Sequence, residues 1–178
     1  RLIADLLDFT SARPGRGLAI QPKPVEAHAA IGEMVEELRD AFPGRELVHF
    51  AEGEAGCVLD PDRLSQVVGN LVGNAMAYGD PAWPVTVRSR GAPETLEVAV
   101  HNHGMPIQPD DQARLFRPLV RGTDERGVGR SVGLGLFIVQ EIAKAHGGSV
   151  AVASGADAGT IFCVTFPRQP RGADEPPA

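Results

Sequence analysis

The stretch Ser131–Val150 reads SVGLGLFIVQEIAKAHGGSV and carries the start and end signals of one amphipathic helix. Gly133 and Gly135 stand at its start, where missing side chains let backbone N–H groups approach a ligand closely. Apolar residues then recur at helical spacing, at Leu134, Ile138, Ile142 and Ala145. His146 closes the last turn, and Gly147 is a natural C-cap. The stretch therefore predicts a helix whose amino end binds an anion.

The composition suits one compact domain with an appendage, because 43% of the 178 residues are hydrophobic. A net charge of −6 disfavours a dedicated nucleic-acid binder. No run approaches the roughly 18 apolar residues of a membrane span, and the start lacks a signal-peptide pattern. Cys57 and Cys163 have no metal-ligand spacing, so we expect two small buried thiols. We expect a cytoplasmic chain without nucleic acid or membrane contact.

The first half of the chain reads as helices joined by short strands. Residues 1–12 carry an apolar stripe without a starting cap, which predicts the end of a longer helix. An extended link leads into a predicted helix over Val25–Phe42, which Pro43 and Gly44 stop. Short strands are expected at Leu47–Phe50 and Cys57–Leu59, around a turn.

Another helix begins at Asp60 and Pro61, an N-cap followed by a proline at the first helical position. Its expected core face comprises Leu64, Val67, Val68, Leu71 and Ala75. Another stripe holds Gln66, Asn70, Asn74 and Tyr78. The asparagines and neighbouring glycines cost about 3 kcal/mol relative to alanines, so something must offset them. One explanation is that the glycines permit close packing of the helix and the asparagines bond to nearby backbone. The other is that an asparagine oxygen, a hard neutral ligand, holds magnesium.

Two alternating runs, Val85–Arg90 and Glu94–His101, predict a hairpin that leads into the turn HNHGMPI. At this turn a ligand could meet the Asn102 amide and exposed backbone. His101 and His103 have no third ligand nearby in sequence, so we interpret them as solvated or loop histidines. The glycine- and arginine-rich segment Gln108–Arg130 predicts a mobile lid, for which a solvated loop is the simpler alternative.

The end of the chain predicts a final strand pair, Ser149–Ser154 and Gly159–Phe166, and then a disordered tail. Two common phosphate-binding patterns are excluded. The lysine-bearing P-loop is absent, and the pair Gly133 and Gly135 has no glycine three residues on, as a dinucleotide fingerprint requires.

Four motifs occur in one order: Gln66–Tyr78 (QVVGNLVGNAMAY), Asn102–Ile107, Arg114–Pro118 (RLFRP) and Gly133–Gly148. They resemble the N, G1, F and G2 boxes of the ATP-binding catalytic domain of sensor histidine kinases. The resemblance implies an α/β two-layer sandwich of the GHKL or Bergerat type, with a mixed sheet backed by helices and an ATP lid.

The resemblance also implies a domain organisation. Residues 1–13 resemble the end of a dimerisation and phosphotransfer helix. Residues 14–24 would be a linker, residues 25–167 the ATP-binding domain and residues 168–178 a disordered tail. The phosphoacceptor block of the family does not occur in this sequence, and His28 does not match it.

Site roles follow from the same resemblance. It implies that Asn74 coordinates Mg²⁺, that Asn102 accepts a hydrogen bond from adenine and that Phe116 anchors the lid. The full implied nucleotide-binding set is Asn70, Asn74, Tyr78, Asn102, Gly104, Ile107, Phe116, Gly133, Leu134, Gly135, Leu136 and Thr160. Three departures bear on affinity: Asn102 replaces a carboxylate, Pro106 a glycine and Ala77 a basic residue.

The implied function is transfer of the ATP γ-phosphate to a phosphotransfer-domain histidine outside these residues, and then to a response-regulator aspartate. The implied cofactors are ATP and Mg²⁺, and the full-length protein would be a homodimer. One alternative is a non-catalytic ATP-binding or dimerisation module with a degenerate pocket. Another is an ATPase of the chaperone, gyrase or mismatch-repair branches. The predicted N-terminal helix disfavours this alternative, and so does the sequence HGGSV at the end of the Ser131–Val150 stretch.

Overall fold

The computed structural model describes residues 18–118 and 133–169. The strands in these ranges are β1 (Lys23–Glu26), β2 (Leu47–Glu52), β3 (Gly56–Leu59), β4 (Val85–Gly91), β5 (Thr95–Asn102), β6 (Ser149–Gly155) and β7 (Gly159–Pro167). The helices are α1 (Ala27–Ala41), α2 (Pro61–Tyr78), α3 (Pro109–Gln112) and α4 (Gly135–Ala145). The helix predicted within residues 1–12, most of the predicted lid and nearly all of the predicted tail lie outside the described residues.

A five-stranded sheet with the order β2-β4-β5-β7-β6 forms one layer of the molecule. The β2–β4 pair is parallel and the other pairs are antiparallel, so the sheet is mixed. Alternate residues of β5 are buried on the side where α1, α2 and α4 pack. These helices form the second layer, and the predicted two-layer α/β sandwich is confirmed.

The first described helix begins later than the sequence predicted. We expected a helix from Val25, but Val25 and Glu26 belong to β1 and pair with Cys57 and Gly56 of β3. The Glu26 side chain accepts a hydrogen bond from the Ala29 N–H (2.9 Å) and so caps α1. The strands expected around one turn are present, but β2 pairs with β4 and β3 with β1. For Val25 and Glu26, pairing with a strand that is distant in sequence thus overrides the local helical pattern.

Two buried polar residues fix the helices α2 and α4 to each other. Asp60 caps α2 by accepting hydrogen bonds from Asp62 (3.0 Å) and Arg63 (3.2 Å), which confirms the predicted start of this helix. The Asp60 N–H donates to Nε2 of His146 (3.2 Å), and Nδ1 of His146 donates to the Ile142 carbonyl (2.8 Å). The start of α2 is therefore bonded to the end of α4.

Candidate nucleotide-binding site

The amino end of α4 presents backbone groups at the surface. Gly133 has a φ of 74°, a left-handed conformation that glycine adopts without steric cost. Leu134 is buried and anchors this turn in the core, while Gly135 and Leu136 are partly exposed. The N–H groups of these two residues precede the first helical hydrogen bond, which Ile138 donates to the Leu134 carbonyl (2.9 Å). Phosphate binding by these amides stays a prediction.

The asparagine stripe of α2 lies beside this turn. Nδ2 of Asn70 donates to the Gly135 carbonyl at 3.4 Å, and a Cβ on Gly135 would lie 3.6 Å from the Asn70 amide carbon. One helical turn further, Asn74 is partly exposed, and its side chain makes no hydrogen bond within the described ranges. Its amide oxygen can therefore accept a ligand. We call Asn70, Asn74 and residues 133–136 the helix end of the site.

The opposite part of the site is built by strands. Asn102 ends β5 opposite Thr160 of β7, and their exposures are only 6% and 4%. Nδ2 of Asn102 donates to the His103 carbonyl (3.2 Å), which also accepts from the Asp80 N–H (2.7 Å). Because a carbonyl only accepts, the amide nitrogen must face it, and Oδ1 is left as the acceptor for a ligand.

Tight backbone contacts join the end of α2 to the turn after β5. Gly79 and Gly104 form an antiparallel bridge, and a Cβ on Gly104 would lie 2.8 Å from the Tyr78 carbonyl oxygen. Only glycine permits this approach. Arg45 also binds the end of α2, since its Nη1 donates to the Met76 carbonyl (2.9 Å). Tyr78 itself is 46% exposed beside the bridge.

Sequence reasoning missed one residue of this region, Ser154 of β6. Its Oγ accepts the Ile107 N–H (2.9 Å) and lies 2.7 Å from Oγ1 of Thr160. Val150 and Val152 of β6 pack against the core, and strand alternation places Ser154 on the same face; this signal could have found it. We call Asn102, Gly104, Ile107, Ser154 and Thr160 the strand end of the site.

Phe116 lies within the predicted lid, in the part that the structure describes. Its ring lies 6.3 Å from the buried ring of Phe162, in an edge-to-face arrangement at 87°. The contact ties the segment after α3 to β7. Its role as an anchor for the lid stays a prediction, since residues 119–132 lie outside the described ranges.

Within the described ranges, the clearly shifted pKa values belong to groups that we did not assign to the site. Burial raises the pKa of the Cys57 thiol to about 11 and also raises that of Cys163. Both thiols are therefore weak nucleophiles at neutral pH. Cys57 is buried as predicted, whereas Cys163 is partly buried. Burial, followed by the nearby His28 and Arg39, lowers the pKa of His49.

The histidines discussed above have partners in the structure. Both ring nitrogens of His28 are engaged, with Oγ of Ser89 (2.7 Å) and the Gly53 carbonyl (3.1 Å). His101 bonds the Ala158 carbonyl (2.8 Å), and His103 packs against Trp83 with ring centroids 4.6 Å apart. None of these contacts places a histidine in the site.

A family model described as "Histidine kinase-, DNA gyrase B-, and HSP90-like ATPase" matches residues 59–170. The histidine protein kinase DivJ of Caulobacter vibrioides is 38% identical over an alignment of 169 residues that covers 93% of this chain and 28% of DivJ. The chain spans between 18% and 44% of the length of four curated relatives.

Solved structures show the same fold. The mycobacterial sensor histidine kinase MprB superposes with a TM-score of 0.71 at 24% identity, covering 85% of this chain and 100% of that structure. Full-length ShkA in complex with AMPPNP gives a TM-score of 0.81 at 26% identity, covering 97% of this chain and 36% of ShkA. None of the described helices combines the length and hydrophobicity that a membrane span needs.

Proposed function

Because this chain belongs to the family of histidine kinase-, DNA gyrase B- and HSP90-like ATPases, we propose that it binds Mg-ATP as the catalytic domain of a sensor histidine kinase. It donates the γ-phosphate to a phosphotransfer histidine outside residues 1–178, for relay to a response-regulator aspartate. The full-length protein acts as a homodimer, with this domain in the cytoplasm. Named sensor kinases among the relatives support an enzyme over a non-catalytic module.

The contact between Asn70 and Gly135 carries this proposal. It brings two motifs that lie 65 residues apart in sequence to one place, at 3.4 Å. The triphosphate then lies between the asparagine stripe of α2 and the backbone amides at the start of α4. Asn102 accepts a hydrogen bond from the adenine amino group at the strand end, and Tyr78 packs near the base.

Asn74 fits a magnesium ligand. Mg²⁺ prefers oxygen ligands and keeps several waters, so one protein amide oxygen beside phosphate oxygens is sufficient. Asn74 supplies an oxygen without a competing hydrogen bond in the described part of the chain. When bound, the ion neutralises charge on the phosphates, while the protein holds the nucleotide in line with the attacking histidine.

Calorimetry with Mg-AMPPNP tests the proposal. We expect micromolar-range binding to residues 1–178 and a loss of at least about tenfold in Asn74→Ala, because a metal ligand is removed. Ser65→Ala, an exposed change on the same helix, should bind like the parent. Absence of binding in the parent would overturn the proposal, and equal affinities of Asn74→Ala and the parent would overturn the role of Asn74.

A second measurement tests the location of the acceptor. Incubation with γ-labelled ATP should leave no acid-labile, base-stable phosphohistidine on residues 1–178. The reason is that the acceptor block is absent and both ring nitrogens of His28 are occupied. Stable labelling of this chain would contradict an external acceptor.

A further inference from the structure

Ser154 lies outside the four motifs that identify the site, yet its hydroxyl joins two parts of the strand end. It accepts the Ile107 N–H from the turn after β5, and it shares a hydrogen bond with Thr160 of β7. Both distances, 2.9 and 2.7 Å, are those of well-formed hydrogen bonds. One side chain on an edge strand thus holds a turn and a buried hydroxyl together.

The hydrogens on these groups can be counted. Ser154 and Thr160 carry one hydroxyl hydrogen each, and the bond between them uses one of the two. Oγ of Ser154 already accepts from Ile107. When Ser154 donates to Thr160, the Thr160 hydrogen is left for a ligand beside Asn102, which is the partner of Thr160 in the sheet register.

We propose that Ser154 is a positioning residue for the nucleotide base. It fixes the Ile107 turn, and it directs the Thr160 hydroxyl hydrogen toward the ligand instead of toward protein. The inference rests on the proposed function, in which the base lies at the strand end.

Removal of the Ser154 hydroxyl has two consequences at the strand end. The Ile107 N–H loses its acceptor, and the Thr160 hydroxyl loses the partner that orients it. Thr160 is only 4% exposed, so its hydroxyl has little access to replacement water. A purely structural role predicts a lower stability, whereas a positioning role predicts a loss of nucleotide affinity that depends on Thr160.

The experiment compares Mg-AMPPNP affinity across a set of variants of residues 1–178. Ser154→Ala should bind about tenfold more weakly, and Ser154→Thr, which keeps the hydroxyl, should bind within about threefold of the parent. The matched control is Ser149→Ala, at an exposed position on the opposite face of β6. Thr160→Val combined with Ser154→Ala should bind within about twofold of Ser154→Ala alone, because coupled residues are not additive.

Hydrogen exchange of the Ile107 amide gives a readout that does not need nucleotide. Exchange should accelerate in Ser154→Ala and stay slow in Ser154→Thr. Parent-like affinity of Ser154→Ala would overturn the positioning role while the proposed function stands. The same holds if the double variant binds nucleotide more than about twofold more weakly than Ser154→Ala alone. Absence of nucleotide binding in the parent would overturn both.

Discussion

At the helix end of the site, residues 133–136 present backbone groups near the surface. At the strand end, Asn102 and Thr160 are buried and hydrogen-bonded. The helix end depends on one left-handed glycine and on amides that precede the first helical bond. The strand end depends on contacts among β5, β6, β7 and the end of α2.

The difference concerns what each end can recognise. Backbone amides bind any phosphate oxygen, so we expect the helix end to supply affinity with little selectivity. The strand end holds an amide oxygen and a hydroxyl in fixed directions, which suits the recognition of one base edge. We therefore expect substitutions at the strand end to lower both the stability of the fold and the nucleotide affinity. Substitutions at the helix end should change one of these quantities without the other.

The largest effect is expected at the strand end, in Gly104→Ala. The added Cβ would lie 2.8 Å from the Tyr78 carbonyl oxygen, so the bridge to Gly79 must open. We expect the free energy of unfolding to fall by about 1–3 kcal/mol, measured by urea denaturation, and nucleotide affinity to fall with it.

The matched control is Gly73→Ala, within α2. A Cβ there meets nothing within 4 Å in the described part of the chain, so the variant should gain up to about 1 kcal/mol in helix propensity. If both variants changed stability in the same direction, the close approach at Gly104 would not be the constraint that we infer.

A smaller effect is expected at the helix end, where two neighbouring glycines serve different purposes. Gly133→Ala places a Cβ in a left-handed conformation and should lose about 1–2 kcal/mol of stability. Gly135→Ala has no such φ, and its Cβ would make only ordinary contacts with Asn70, so stability should change by no more than about 0.5 kcal/mol.

The two variants differ in their ligand dependence. We expect Gly135→Ala to weaken Mg-AMPPNP binding several-fold despite its normal stability, because the backbone must approach the phosphates closely. Calorimetry together with thermal denaturation separates these effects. Equal losses of stability in Gly133→Ala and Gly135→Ala would contradict the distinction.

The smallest effect is expected on mild acidification, which acts away from both ends. The pKa of His49 is lowered in the fold, so below about pH 6.5 the unfolded chain binds the proton more readily. Stability should therefore fall as the pH drops from about 6.5 toward the lower folded pKa, and solvent screening at this partly buried residue keeps the slope small.

Urea denaturation at several pH values measures this slope, which should be flatter in His49→Gln. The stability losses at the two ends should keep their order at every pH, so Gly104→Ala should stay less stable than Gly133→Ala. An unchanged slope in His49→Gln would show that other groups control the acid response.

Much of the fold was predictable because its signals are local. The structure confirms the Asp60 cap, the core face of α2, the β4–β5 hairpin and the end of α4 at His146 and Gly147, and the signal for each lies within one segment. The predicted ATP-binding domain of the sensor histidine kinase type is confirmed by the family match and the relatives. The roles of the individual site residues stay predictions.

The errors and omissions concern contacts between distant segments. Val25 and Glu26 carry a helical pattern, but hydrogen bonds to β3 make them a strand. Ser154 carries no motif, and its importance follows from partners 47 and 6 residues away. Such pairings depend on strand register, which a local pattern does not encode.

The sequence by itself determined the ends of α2 and α4, the glycines at the start of α4 and the asparagine stripe, because spacing and caps act within a few residues. The tertiary structure decided that Asn70 meets Gly135, that the Asn102 amide nitrogen donates to the His103 carbonyl, and that Ser154 shares a hydrogen bond with Thr160. These contacts join groups on different elements, so their geometry exists only when the helices pack on the sheet.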